Sequence, residues 1–178
     1  MMYNVLYIHG FNSFFDENSE KIIELKKHFN LFGLSLNYSE LSYHEVYRLI
    51  YNELVDKKID CIIGTSFGGW LANNIGGKCG LPFVCINPVI NPIQTLEKYS
   101  VKEEIIESYQ NKSLYYKNGM LLLDMGDEVL DSNKTLDHFQ KYLLCRIYDG
   151  GNHRFVHMKE SIEDIVNFIA INEIILEN

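Results

Sequence analysis

Short apolar runs alternate with longer amphipathic stretches along almost the whole chain of 178 residues. The runs are rich in β-branched and aromatic residues, and the stretches between them repeat apolar residues at helical spacing. Predicted strands cover residues 3–8, 34–38, 60–64, 82–87, 119–126 and 143–149. Predicted helices cover residues 18–29, 42–58, 66–78, 131–142 and 159–175. This alternation predicts an α/β fold with a mainly parallel sheet of about six strands and helices on both faces.

Residues 88–118 interrupt the alternation, because they contain two prolines and several tyrosines but no strand pattern. A chain of this length is most simply one domain, so we expect a single domain over residues 1–178 with residues 88–118 as a lid or cap insert. The tyrosines of the insert either line an acyl pocket or pack two short helices over the site. They are Tyr99, Tyr109, Tyr115 and Tyr116.

The composition narrows the class of protein. A net charge of −8 argues against a nucleic-acid partner, which normally requires a basic surface. The N-terminus has no basic leader, and no apolar stretch approaches the ~20 residues of a membrane span. The four cysteines form no CxxC pair and are expected as free thiols, which favours a cytoplasmic location. Oligomeric state is left open.

Residues 64–68 read Gly-Thr-Ser-Phe-Gly between a predicted strand and a predicted helix. In open α/β sheets the ligand site lies beyond the carboxyl ends of the strands, which is where Ser66 falls. The pattern G-x-S-x-G in this context is a nucleophile elbow, a tight turn that exposes a serine hydroxyl above the sheet. The alternative is a serine that only caps the helix. The context favours Ser66 as a nucleophile.

A nucleophilic serine needs a base, and the elbow architecture predicts an acid and then a histidine farther along the chain. His153 follows the last strand in a loop with two glycines and is the predicted base. His157 is the less favoured alternative for the base. It is more simply explained as a surface residue at the start of the closing helix.

The predicted acid is Asp127, in the loop after the fifth strand. Three other acidic residues lie nearby, namely Asp124, Glu128 and Asp131. Asp124 lies at the strand end, and Asp131 is better explained as the cap of the next helix. Their spacing matches no EF-hand loop, so no metal is predicted here.

Backbone amides complete the predicted site. The amide of Phe67 lies at a helix N-terminus, and His9-Gly10 lets the chain turn so that the amide of Phe11 donates beside it. The alternative for residues 8–13 is a tight turn without a catalytic role. Asn87 and Arg154 are candidate substrate contacts, although a turn role for Asn87 and a solvent-facing Arg154 are the simpler explanations.

Five blocks in this order resemble the α/β-hydrolases, and more narrowly the YqiA/YcfP-like bacterial esterases. They are YIHGFNS (7–13), IIGTSFGGWLAN (62–73), INPVINP (86–92), GDEVLD (126–131) and GGNHRF (150–155). The resemblance implies a compact hydrolase that lacks the first two strands of the superfamily. It also implies that Ser66, Asp127 and His153 are the catalytic residues. One departure is Arg154-Phe155, where the family commonly has Ala-Phe.

We therefore expect a serine esterase or thioesterase that acts on a small-molecule acyl ester or thioester and uses no metal or organic cofactor. The alternative from another class is a non-catalytic protein of the same fold that binds a small ligand.

Overall fold

The computed structural model describes residues 2–112 and 116–176, with the backbone only for residues 173–176. Within these residues six strands form one sheet in the order β2-β1-β3-β4-β5-β6. They are β1 (Asn4–Ile8), β2 (Asn30–Leu34), β3 (Cys61–Thr65), β4 (Phe83–Ile86), β5 (Gly119–Asp124) and β6 (Leu144–Tyr148). Every neighbouring pair is parallel. The predicted parallel sheet is confirmed.

Helices connect the strands and cover both faces of the sheet. They are α1 (Glu20–Lys26), α2 (Tyr43–Asp56), α3 (Phe67–Leu71), α4 (Gly77–Cys79), α5 (Pro92–Lys98), α6 (Glu103–Tyr109), α7 (Ser132–Phe139) and α8 (Met158–Leu176). A π-helical segment, Ala72–Gly76, joins α3 to α4. The side chain of Asp131 accepts a hydrogen bond from the Lys134 amide at the start of α7, so its predicted role as a helix cap is confirmed.

The side chains of the strands alternate between two apolar clusters, one on each face of the sheet. Leu6 packs with Val46 of α2 on one face, and Val5 packs with Ile22 of α1 and Ile165 of α8 on the other. Each large side chain buried in this way contributes roughly 1.5–3 kcal/mol relative to an exposed one. Burial on both faces explains why the central strands are almost continuously apolar.

The second strand lies earlier than predicted, at Asn30–Leu34 rather than at residues 34–38. Gly33 does not precede this strand but pairs with Tyr7 inside it. Residues 35–38 instead form a loop that bonds to the end of β1, where the amide of Leu36 donates to His9 Nε2. The pattern of residues 34–38 resembles a strand because Leu36 and Tyr38 are both buried.

The insert, residues 88–118, contains α5 and α6 and shows no strand among its described residues. Tyr109 is buried against Phe67, with ring centroids 5.7 Å apart, and Tyr116 lies directly against Gly77. These two tyrosines therefore pack helices, whereas Tyr99 is 47% exposed. Tyr115 lies outside the described residues.

All four cysteines are free, with Cys61 and Cys85 buried and the other two partly exposed. Across residues 2–112 and 116–176, the helices are all too short or too polar to cross a bilayer.

Candidate active site

Ser66 lies at the turn between β3 and α3, with a backbone conformation of φ 56° and ψ −119°. A side chain at positive φ costs on the order of 1–3 kcal/mol, so surrounding contacts must hold it there. The amide of Ser66 donates to the Ile86 carbonyl at 2.9 Å, and its carbonyl accepts from the Val89 amide at 3.2 Å. Bonds to the end of β4 and the loop after it therefore fix the conformation of this serine.

The two glycines of the pattern are required by close backbone approach. A Cβ atom on Gly64 would lie 2.0 Å from the carbonyl oxygen of Gly68, and one on Gly68 would lie 2.2 Å from that of Ile8. Neither distance is possible without moving the backbone of a central strand or of α3. The tight turn of a nucleophile elbow therefore requires small residues two positions before and two positions after Ser66.

The structure brings Ser66, His153 and Asp127 into one chain of contacts. His153 Nε2 lies 3.0 Å from Ser66 Oγ, and His153 Nδ1 lies 2.7 Å from Asp127 Oδ2. The Asp127 side chain is 1% exposed and that of His153 is 20% exposed. A carboxylate at Nδ1 holds the proton on that nitrogen, which leaves Nε2 free to accept a proton from the serine hydroxyl.

Asp127 is held as a carboxylate by the groups around it. Burial is the largest influence and raises its pKa, but the His153 hydrogen bond and the amides of Leu130 and Val129 lower it, and the net shift of the pKa is downward. The two amides donate to Asp127 Oδ1 at 2.9 and 2.8 Å. Both oxygens of the carboxylate are thus engaged, and the group is ionised near neutral pH.

The other acidic candidates have separate partners. Asp124 accepts from His157 Nδ1 at 2.6 Å, and Glu128 accepts from the backbone amide of His153 at 3.0 Å. His157 makes no described hydrogen bond to Ser66. The structure therefore does not bring the alternative base to the nucleophile.

The loop after β1 lies directly beside the nucleophile. A Cβ atom on Gly10 would be 3.2 Å from the Cβ of Ser66, so Phe11 follows at the edge of the site. Among the described residues, the amides of Phe11 and Phe67 donate to no protein acceptor. Free amides next to a serine hydroxyl are the donors that an oxyanion requires.

His9 holds this loop in place through both ring nitrogens. Nδ1 donates to the Gly10 carbonyl at 2.7 Å, and Nε2 accepts from the Leu36 amide at 2.9 Å. Tyr38 adds a hydrogen bond from its hydroxyl to the carbonyl of His9. Burial lowers the pKa of His9, and the bond to Gly10 only partly opposes this shift. His9 is therefore neutral near neutral pH, and its role here is structural.

Because the pKa of His9 is lowered in the folded protein, we predict that the free energy of unfolding depends on pH. Its pKa is below 6.5 in the folded state, so the unfolded chain binds more protons as the pH falls below about 6.5. The free energy of unfolding should fall through this window, by at most about 1.4 kcal/mol per pH unit from this group. We expect His9→Asn to lose this component when urea unfolding is compared at about pH 7.5 and about pH 5. The exposed His44→Asn serves as the control, and an equal pH dependence in the His9 variant and the unmodified protein would contradict the prediction.

Asn87 directly follows β4, as predicted, and its side chain bonds to the backbone of neighbouring segments. Its side chain is fully buried, its Oδ1 accepts from the Asp124 amide at 2.9 Å, and its Nδ2 donates to the carbonyls of Asn152 and His153. All of its hydrogen-bonding atoms are used by the backbone, which argues against a substrate contact and for the simpler role in a turn. Arg154 is exposed on the loop that carries His153, and its contact with a substrate stays a prediction.

A pocket of about 250 Å³ lies beside the loop after β1. Most of its lining is polar and uncharged. The lining residues are Asn12, Ser13, Ser35, Leu36, Asn37, Tyr38 and Ser39. Tyr38 of this lining also contacts Phe11 and Phe67, with ring centroids 6.2 and 4.9 Å away.

Two contributors to the site were missed in the sequence. Tyr38 lies in the segment that was predicted as a strand, and nothing in its sequence context indicates a bond to His9. Tyr99 stacks on Phe11, with ring centroids 4.9 Å apart, and brings the insert to the loop after β1. Nothing in the sequence distinguishes it from the other three tyrosines of the insert.

Comparisons with known proteins agree with this architecture. A family model described as "Uncharacterised protein family (UPF0227)" matches residues 4–120 and 110–170. A UPF0227 protein of Yersinia pseudotuberculosis is 27% identical, over 92% of this chain and 97% of its own length. Among solved structures, mouse alpha/beta hydrolase domain-containing protein 10 superposes with a TM-score of 0.66 at 15% identity, over 98% of this chain and 90% of that one. A monoacylglycerol lipase of Paleococcus ferrophilus gives a TM-score of 0.69 at 11% identity, over 95% and 94%. The likeness confirms the predicted α/β-hydrolase fold.

Proposed function

The chain belongs to the UPF0227 family, and we propose that this member is a serine hydrolase that cleaves small acyl esters or thioesters. The observation that carries the proposal is the unbroken series of contacts from Ser66 Oγ through the His153 ring to Asp127. A buried carboxylate, a partly exposed imidazole and a strained serine on a strand-to-helix turn serve no evident structural purpose together. They are the parts that acyl transfer needs.

In the proposed reaction Ser66 Oγ attacks the acyl carbonyl while its proton passes to His153 Nε2. The amides of Phe11 and Phe67 donate to the oxyanion of the tetrahedral intermediate, each worth a factor of about 10²–10³ in rate. Asp127 stabilises the charged imidazole, which then protonates the leaving group. Water deprotonated by His153 releases the acyl group from Ser66 in the second half of the reaction.

We also propose that residues 1–178 form one domain in which the insert borders the bound substrate. Tyr99 is the insert residue that supports this, because it is exposed and stacks on Phe11. The free thiols of the chain support a reducing, cytoplasmic location.

The test is turnover of a panel of acyl esters, thioesters and anilides of increasing chain length, together with labelling by a fluorophosphonate. The panel includes esters with the same acyl group on polar and on apolar alcohols. We expect hydrolysis of at least one short ester or thioester, and a single label located on Ser66 by mass spectrometry of the labelled peptide. Heat-denatured protein is the control for chemical reactivity of exposed serines.

Two results would end the proposal in this form. If the folded protein neither takes up the label nor turns over any member of the panel, the non-catalytic ligand-binding alternative takes its place. If the label is found on a serine other than Ser66, the reaction class stands but the assigned nucleophile is wrong.

A further inference from the structure

A second carboxylate–histidine pair lies next to the one that contacts Ser66. Asp124 Oδ1 and His157 Nδ1 are 2.6 Å apart, the aspartate side chain is fully buried, and that of the histidine is 24% exposed. In sequence the second pair encloses the first, since Asp124 precedes Asp127 by three positions and His157 follows His153 by four. The proposed reaction uses only the first pair, so the second needs its own explanation.

Asp124 binds the loop of His153 on both sides of that residue. Its Oδ2 accepts from the amide of Asn152 at 3.2 Å and from the amide of Val156 at 3.0 Å, while its Oδ1 accepts from His157. One buried carboxylate thus fixes three points in a segment of six residues. A buried charge that loses one of its donors is strongly destabilised, so these bonds resist separate rupture.

The loop needs such an anchor because its own backbone is strained. Phe155 adopts a positive φ of 64°, which is strained for a residue with a Cβ atom, whereas Gly150 and Gly151 adopt φ values of 70° and 75° that glycine takes without strain. A Cβ atom on Gly151 would lie 2.0 Å from Asp124 Oδ2, which shows how closely the chain wraps the carboxylate. Non-glycine residues in this region persist only when surrounding contacts over-determine them.

His157 attaches the loop to the sheet as well as to Asp124. Its ring stacks on Tyr148, the last residue of β6, with centroids 5.0 Å apart and planes only 10° from parallel. Asn87, directly after β4, holds the loop from a third strand, because its side chain donates to the carbonyls of Asn152 and His153 and accepts from the amide of Asp124. The loop of His153 is therefore held from three strands at once.

We propose that Asp124 and His157 are a positioning pair that sets the His153 ring between Asp127 and Ser66. The expected effect of this pair on the reaction rate rests on the function proposed above. Neither residue touches the reacting atoms, and the pair acts only through the backbone of residues 152–157. A displacement of about 1 Å in a catalytic group can cost on the order of 10²-fold in rate.

Two substitutions separate the hydrogen bond of His157 from its stacking. His157→Phe keeps a ring on Tyr148 but removes the donor to Asp124, whereas His157→Asn loses the ring but keeps an N–H near the position of Nδ1. We expect His157→Phe to lower kcat by about 10–100-fold with KM changed by less than about threefold. His157→Asn should recover most of kcat. His44→Phe, on the exposed face of α2, is the matched control and should leave both constants unchanged.

A second readout needs no substrate. A proton in a short bond between a histidine and a carboxylate gives a downfield proton resonance, and the His153 signal is assigned by its loss in His153→Ala. We expect this signal to shift or broaden in His157→Phe and to return in His157→Asn. A merely structural role for His157 would lower the melting temperature of the variant and leave the His153 signal and kcat in place.

The outcomes separate the two proposals. If the unmodified protein shows the His153 signal but no turnover, the proposed function fails and the signal alone decides the positioning role. Unchanged kcat and an unchanged signal in folded His157→Phe overturn the positioning role. If His157→Phe does not fold, His157→Gln takes its place. The side-chain N–H of glutamine lies one methylene farther from the backbone than that of asparagine, so it does not reach Asp124 from the position of Nδ1. Unchanged kcat and signal in that variant overturn the proposal equally.

Discussion

Ser66→Ala is expected to lower kcat on the best ester by about 10⁶-fold, the loss that removal of the nucleophile causes in enzymes of this type. The substitution removes the single atom that would form the acyl-enzyme and leaves every other contact of the residue in place. The amide of Ser66 still donates to Ile86, and its carbonyl still accepts from the amides of Gly69, Trp70 and Val89. The backbone of the turn is therefore retained. The dissociation constant of an unreactive substrate analogue should change little, since the substitution leaves the free amides of Phe11 and Phe67 in place.

Ser100→Ala is the matched control for this variant. Ser100 also adopts a positive φ, of 52°, but it is exposed, so the change tests what alanine costs in that backbone region without touching the contact chain. We expect the free energy of unfolding of each variant, measured by denaturant titration, to lie within about 0.5 kcal/mol of that of the unmodified protein. Residual turnover of Ser66→Ala above about one part in 10³ would show that the reaction does not proceed through this hydroxyl.

The sheet and the elbow could be predicted because their signals are local. Continuous apolar strands follow from burial on both faces, and Gly64 and Gly68 are set by backbone distances within one turn. The order of serine, acid and histidine then follows from the positions of the strand ends. Ser66, Asp127 and His153 were for this reason accessible to sequence reasoning, and the structure brings them together.

The supporting contacts could not be predicted, because they join residues far apart in sequence. The bond of Leu36 to His9 spans 27 positions, and that of Asn87 to Asn152 spans 65. Both use a backbone group on one side, which leaves no residue-type signal there. The same limitation explains the misplaced second strand, since burial of Leu36 and Tyr38 arises from the loop after β1 and not from a sheet neighbour.

Hydrogen bonds to the backbone thus locate the candidate site as much as its reactive side chains do. His9 fixes the loop of Phe11, and Asn87 with Asp124 fixes the loop of His153. Each of these side chains is almost fully buried and has its polar atoms paired, so each holds one conformation. The reactive groups can then remain partly exposed without losing their alignment.

Asp127→Asn is expected to lower kcat by about 10⁴-fold while the fold is retained. The asparagine Oδ1 can still accept from the amides of Val129 and Leu130, as Asp127 Oδ1 does. Its Nδ2, however, is a donor and faces His153 Nδ1, where the carboxylate now accepts at 2.7 Å. The imidazole must then present a bare Nδ1 and carry its proton on Nε2, and in that tautomer it cannot accept the proton of Ser66.

The control for this variant is Asp131→Asn, which removes one charge from the same loop. Asp131 is exposed and accepts from the Lys134 amide as a helix cap, a role that asparagine fills equally well. Its kcat should stay within about twofold of the unmodified protein. The measurement is kcat at neutral pH for both variants, together with the His153 proton resonance.

Because Asp124 lies three positions away and is also a buried partner of a histidine, one pattern of results would reassign the catalytic acid. A fully active Asp127→Asn beside an inactive but folded Asp124→Asn would place the orienting carboxylate on Asp124 and make the pair it forms with His157 the functional one.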